Sequence, residues 1–208
     1  MQDIRKFLKH YRFLIIFLAI TVGAVFLIWR YVLVVPPYVP KEFLEAKQQG
    51  AEIAGMIVKQ SGDSNQKLES ISRYDRSGEF QEALKVVGES SIINKELSQK
   101  AIELSKTLEQ MTLVLAGIKP DKARSLAQEA IVYEINLIQH LISYNDLWNK
   151  LLEALRMKFE KSLSGPFDQG ENGNIKELVQ NINKEIQAIN ELNQKFSKAM
   201  VEFDRLTS

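Results

Sequence analysis

Apolar residues follow two different patterns along this chain. Near the N-terminus they run uninterrupted, whereas beyond position 40 they recur at helical spacing with Lys, Glu, Gln, Asn and Ser between them. Positions 13 to 29, FLIIFLAITVGAVFLIW, hold no charged residue. With the Arg30 side chain snorkelling outward the run continues through Val35, close to the roughly 20 residues a helix needs to cross a bilayer core. A transmembrane helix is predicted over 13–35. A cleaved signal peptide would have a shorter apolar stretch, about 7–15 residues, and a small-x-small cleavage site. Here the stretch runs instead into Trp29, Arg30, Tyr31 and Pro36-Pro37, so an uncleaved anchor is expected. Arg12 on one side and Trp29, Arg30 and Tyr31 on the other are the expected membrane-interface residues. Arg5, Lys6, Lys9 and Arg12 precede the span against a single Asp3, which places the stub 1–12 in the cytoplasm and the rest of the chain outside it. Arg30 and Lys41 reduce that asymmetry and leave the reversed orientation as the alternative.

After the span, PPYVP reads as a stiff spacer over 36–40, because each proline fixes its own φ and keeps the residue before it out of the helical region. The remainder, 41–208, has helical period throughout. The expected fold is all-α: one transmembrane helix followed by an antiparallel bundle of about four to five helices. A first helix from Lys41 to about Gln60 carries Ala46, Gly50 and Ala54, whose small side chains let a neighbouring backbone come close, within the domain or in a dimer seam. Ser61-Gly62 is expected to end it, with Asp63 and Gln66 forming a capping box for the next element, which breaks in turn at Ser77-Gly78. Further on, Leu97, Leu104, Met111 and Ile118 recur at seven-residue spacing with Ala101, Leu108 and Leu115 between them, until Gly117 and Pro120 stop that helix.

A long helix from about Asp121 to Leu163 has three apolar rows: Ile131, Ile138, Leu152 and Phe159; Leu141, Trp148 and Leu155; Leu137, Tyr144 and Leu151. A face that wide calls for several neighbours rather than one coiled-coil partner. The last helix is expected to start at a capping box made by Asn174 and Glu177 and repeats Ile175, Ile182, Ile189, Phe196 and Phe203.

Charge and composition narrow the function classes. With 27 basic and 26 acidic residues interleaved, no face is forced to be basic enough to hold a phosphate backbone, so nucleic acid is not an expected partner. The absence of Cys excludes disulfides, thiolate catalysis and Cys-ligated metals. His140 has no metal-ligating neighbour one helical turn away. Glu185 and Asn145 each interrupt an apolar row. Glu185 can move to the rim while Ile186 takes the core position, which leaves Asn145 as the candidate buried polar residue and the first place to seek a ligand pocket.

Two short stretches resemble known motifs. Tyr74, Gly78, Phe80, Ala83 and Leu84 have the spacing of the inner turn of a tetratricopeptide repeat, which this stretch resembles. Lys67 and Ser90 depart from that pattern and no second copy follows, so an ordinary helical hairpin turn is expected. The segment beginning at Asp168 resembles an EF-hand calcium loop at Asp168, Asn172, Gly173 and Ile175. It has Gly170 and Val179 at two positions that should supply ligands, so a Gly-rich turn is preferred and no metal or other cofactor is expected.

No catalytic constellation is found, so an enzyme is not expected. The leading expectation is a structural or protein-interaction module at the cell envelope, its partners the lipid bilayer and either another protein or a second copy of itself. The alternative is a ligand-binding or sensory bundle that signals through a partner, since the stub is too short to carry an output of its own. Protease added to intact spheroplasts should digest the domain after the span; complete protection would reverse the orientation.

Overall fold

The structure, a computed structural model, describes residues 36–165 and 171–208. The predicted anchor at 13–35, the stub with Arg12, the interface residues Trp29, Arg30 and Tyr31, and Asp168 all lie outside these residues. Among the described residues no helix is long and apolar enough to cross a membrane.

Four long helices follow one another: α1 (Lys41–Ser77), α2 (Phe80–Val114), α3 (Asp121–Ser164) and α4 (Glu171–Thr207). A 3-10 turn at Leu115–Gly117 ends α2, and no strand occurs among the described residues. Each helix packs antiparallel against the next, in a bundle-like arrangement. The backbones of α1 and α4 make no interface of comparable extent, although their side chains meet at the end of the bundle where α1 starts.

The principal correction concerns α1. Ser61-Gly62 does not break it, and Asp63 and Gln66 are mid-helix residues rather than a cap. An isolated glycine in a helix costs only about 1 kcal/mol relative to alanine. Against that cost stands a row at seven-residue spacing, Phe43, Gly50, Ile57, Ser64 and Ile71, all of it buried. Interrupting the helix at Gly62 would turn Ser64 and Ile71 out of register with the core. The Ser64 hydroxyl tolerates burial because it donates to the Gln60 carbonyl at 3.0 Å.

The expected break at Ser77-Gly78 is present. Gly78 has φ 77° and ψ 11°, with Glu79 N–H donating to the Tyr74 carbonyl at 3.0 Å and Gly78 N–H to Asp75 at 3.3 Å, the paired bonds of a Schellman motif. Everything from Phe80 to Val114 is then one helix. At its far end the chain is held by packing: Ile118 is fully buried, and Tyr38 and Lys119 exchange backbone hydrogen bonds at 3.0 and 2.9 Å. The Pro-rich spacer is therefore docked on the α2–α3 turn, where Pro40 lies so close to Gly117 that a Cβ there would sit 2.9 Å from its ring.

The three apolar rows of α3 lie against the core as their width requires, with Trp148, Leu151 and Phe159 almost inaccessible. Of the small residues on α1, Ala46 and Gly50 are buried, and a Cβ on Gly50 would touch Thr107 and Leu104 of α2, so this contact is within the chain. The last helix starts at Glu171, upstream of Asn174. The expected capping box is thus absorbed into its first turns.

Opposite outcomes at two glycines test the continuity of α1. Gly78→Ala should destabilise the full-length chain by about 1 kcal/mol, because alanine is strained at positive φ. Gly62→Ala, with nothing within 4 Å of the added Cβ, should stabilise it by roughly 0.5–1 kcal/mol in denaturant titration. A loss at Gly62 would reinstate the break.

Candidate functional site

Burial along α4 is uneven. Leu178 and Ile182 are buried near its start, and Ala199, Met200 and Phe203 near its end, but between them Ile186, Ile189, Leu192 and Phe196 are only half-buried. The cause lies on α1, whose facing side there is built from Ala51, Ala54, Ser61 and Gly62 and has little to fill the space. The seam is closed below by Phe43 and Phe203, whose ring centroids lie 5.4 Å apart, and by Lys47 Nζ bonded to Asp204 at 2.5 Å. Above that closure it opens into a crevice of about 280 Å³, just below the range typical of ligand pockets, about 300–1,000 Å³. Ile57, Leu141 and Tyr144 form its buried floor, Ile186 and Ile189 its α4 wall, and exposed Asn65 and Asn190 stand at its edge.

Tyr144 contributes to the crevice floor with its hydroxyl turned away from accessible space. The residue is 3% exposed, and its hydroxyl is buried with no hydrogen-bond partner. Burial pushes the phenol up to about 12, so it stays protonated and able to donate. Its ring stacks on Trp148 at 5.9 Å, and the Trp148 indole N–H is also buried without a partner. Leaving such a donor unpaired costs about 1–3 kcal/mol, an unusual feature beside an otherwise apolar cavity. Two wider hollows offer less enclosure. One, beside Asn65 to Arg76, is lined by α1 alone, and the other, along α2 and α3, is crossed by the Arg156–Glu160 ion pair.

Asn145, expected as a buried polar residue, is half-buried and does not line the crevice. Its amide faces α2 instead. Asn145 Nδ2 donates to the Asn94 carbonyl at 2.7 Å, and Asn94 Nδ2 donates to the Asn145 carbonyl at 3.1 Å and to Asn149 Oδ1 at 2.8 Å. Asn94 is fully buried and was not singled out from the sequence. Its signal was its place in the row Val87, Asn94, Ala101, Leu108, where it interrupts apolar residues as Asn145 does in Ile138, Asn145, Leu152. This reciprocal pairing sets the register of α2 against α3.

His140 and Glu185, judged separately in the sequence, meet between α3 and α4, with Nδ1 and Oε2 2.6 Å apart. The pair falls short of a metal site: among the described residues no group of three or more His, Cys, Asp or Glu could hold an ion. Because α4 already begins at Glu171, Asn172, Gly173 and Ile175 are helical rather than part of a calcium-type loop.

Below the crevice Glu134 is 7% exposed beside a small cavity of about 40 Å³ shared with Lys47, Thr107, Asn193 and Phe196. Desolvation raises its carboxyl to about 7, and Lys47 across the cavity is engaged by Asp204. Because the folded value lies above the ordinary 4.5, the unfolded chain sheds this proton first, and stability falls as pH rises from about 4.5 to about 7. Glu134→Gln should therefore be nearly neutral at about pH 4 and stabilising by roughly 3 kcal/mol at about pH 8, read from denaturant midpoints. Equal effects at both pH values would contradict a buried, proton-holding carboxyl.

Comparison with protein-family models, with curated proteins and with solved structures finds no match to this chain.

Proposed function

We propose that this chain is a membrane-anchored helical bundle, facing away from the cytoplasm, that works by binding, and that the α1–α4 crevice is where it binds. The observation that carries this reading is the burial pattern of α4, closed at both ends and open in the middle over an apolar floor. Native interiors close such gaps unless something else fills them, because an unfilled apolar cavity forfeits packing. Binding is preferred to catalysis because, among the described residues lining the crevice, the Tyr144 phenol is the one ionisable group. The anchor rests on the uncharged run at 13–29, and the orientation on Arg5, Lys6, Lys9 and Arg12.

A separate observation favours protein interaction as a second role. Val132, Ile135 and Ile142 stay 48%, 44% and 59% exposed along one edge of α3, an apolar strip of the kind helices use to recognise one another.

The reading is tested by organic extraction and mass spectrometry of the purified full-length chain and of Ser61→Leu, whose larger side chain fills the crevice. A compound should be recovered from the wild type and be missing from the variant. Identical extracts would remove the crevice as the binding site.

A further inference from the structure

We propose that the base of the bundle is itself a membrane contact, seated on the headgroups of an anionic bilayer. The proposal rests on 13–35 being an anchor and adds a second contact with the same bilayer.

The base is the end where α1 starts, the α2–α3 turn passes and α4 finishes, and the spacer is fixed to it. Tyr38 exchanges backbone hydrogen bonds with Lys119, and buried Pro40 lies against Gly117. The bundle therefore does not hang on a free linker. Tyr38 follows Val35, the last residue of the apolar run, by three positions, which an extended chain spans in roughly 10 Å. The headgroup layer outside the hydrocarbon is about 5–8 Å thick. A base held that close to the anchor meets headgroups rather than bulk water.

Its surface suits that place. Leu113, in the last turn of α2, is 77% exposed, more than any other large apolar side chain among the described residues, and Tyr38 and Leu44 are 59% and 46% exposed. Aromatic and aliphatic side chains at this level are stabilised by the interfacial region of a bilayer. Charge points the same way. Three ion pairs at this end, Lys41–Glu45, Arg124–Asp121 and Lys47–Asp204, cancel internally. Outside them, in the terminal turns and the α2–α3 link, exposed Lys119, Lys122 and Arg205 stand against Glu42, and this excess of cations complements lipid phosphates.

The chain has no Cys, so a single introduced cysteine carrying a nitroxide reports depth by its accessibility to oxygen and to a water-soluble nickel chelate. Labels are placed at Ala116→Cys on the base, Ser77→Cys at the opposite end and Ala24→Cys within the anchor, each in the full-length chain in nanodiscs. Ala116 and Ser77 are exposed, so neither label disturbs the core. In phosphatidylglycerol discs the label at Ala116 should be shielded from the chelate relative to that at Ser77. Lys119→Gln with Lys122→Gln should lower the ratio of docked to free bundle roughly 30-fold, and phosphatidylcholine discs should shift it in the same direction. Equal chelate access at Ala116 and Ser77, with the Ala24 label in hydrocarbon, would overturn the base contact and keep the anchor. Shielding at Ala116 that is the same in both lipids and in the double lysine variant would overturn the anionic recognition. An Ala24 label as open to the chelate as that at Ser77 would overturn both this proposal and the anchor.

Discussion

The structure depends on covering the face of α3. Three apolar rows wrap so far around this helix that no single partner could shield them, and Trp148, Leu151, Leu152 and Phe159 become almost inaccessible only because other helices lie on more than one side. Each fully buried side chain of this size contributes on the order of 1.5–3 kcal/mol, far more than any surface ion pair in the bundle. The remaining helices are long because α3 is long. The close of the α1–α2 turn follows from the same requirement, with Phe80 stacked on Phe159 at 6.1 Å and Lys158 reaching back to Asp75 at 2.6 Å.

A core made from repeating apolar rows can slide by one turn at little cost, and the bundle resists this with polar groups. Asn94 and Asn145 bond each other's main-chain carbonyls across α2 and α3, so displacement by one turn would strand buried amides without partners. At the opposite seam the arrangement differs. Lys47 is fixed to Asp204 and lies over the Phe203 ring at 5.7 Å, which secures the base of α1 to the end of α4 and leaves the helices free to part above it. Register is tight between α2 and α3, and packing is incomplete between α1 and α4.

That incompleteness has a chemical character of its own. Tyr144 and Trp148 keep unpaired donors, and desolvation raises the Glu134 carboxyl to about 7, well above the ordinary carboxylate range. Each lowers the stability of the native state, and all three lie on α3 where it faces the bundle interior. Tyr144 lines the crevice and Glu134 the small cavity below it, so part of this cost falls where α1 and α4 pack least completely.

Local composition alone determined the helical class, the turn at Gly78, the stop after Gly117 and the extent of α3, because apolar periodicity, a residue free to adopt positive φ and a proline act within a few residues of themselves. The same reading divided α1 at Gly62, where a weak local breaker was outweighed by the burial of Ser64 and Ile71, residues whose surroundings come from elsewhere in the chain. Asn145 and Asn94 are each marked as polar within an apolar row, but nothing local pairs the two across fifty-one positions or joins His140 to Glu185. Nor could it find the crevice. Ser61 and Gly62 read as a break, and Tyr144 as one more apolar position. Only the assembled bundle places small residues of one helix opposite half-buried isoleucines of another and leaves a phenol between them, because a cavity is a property of the distance between helices, which no single helix encodes.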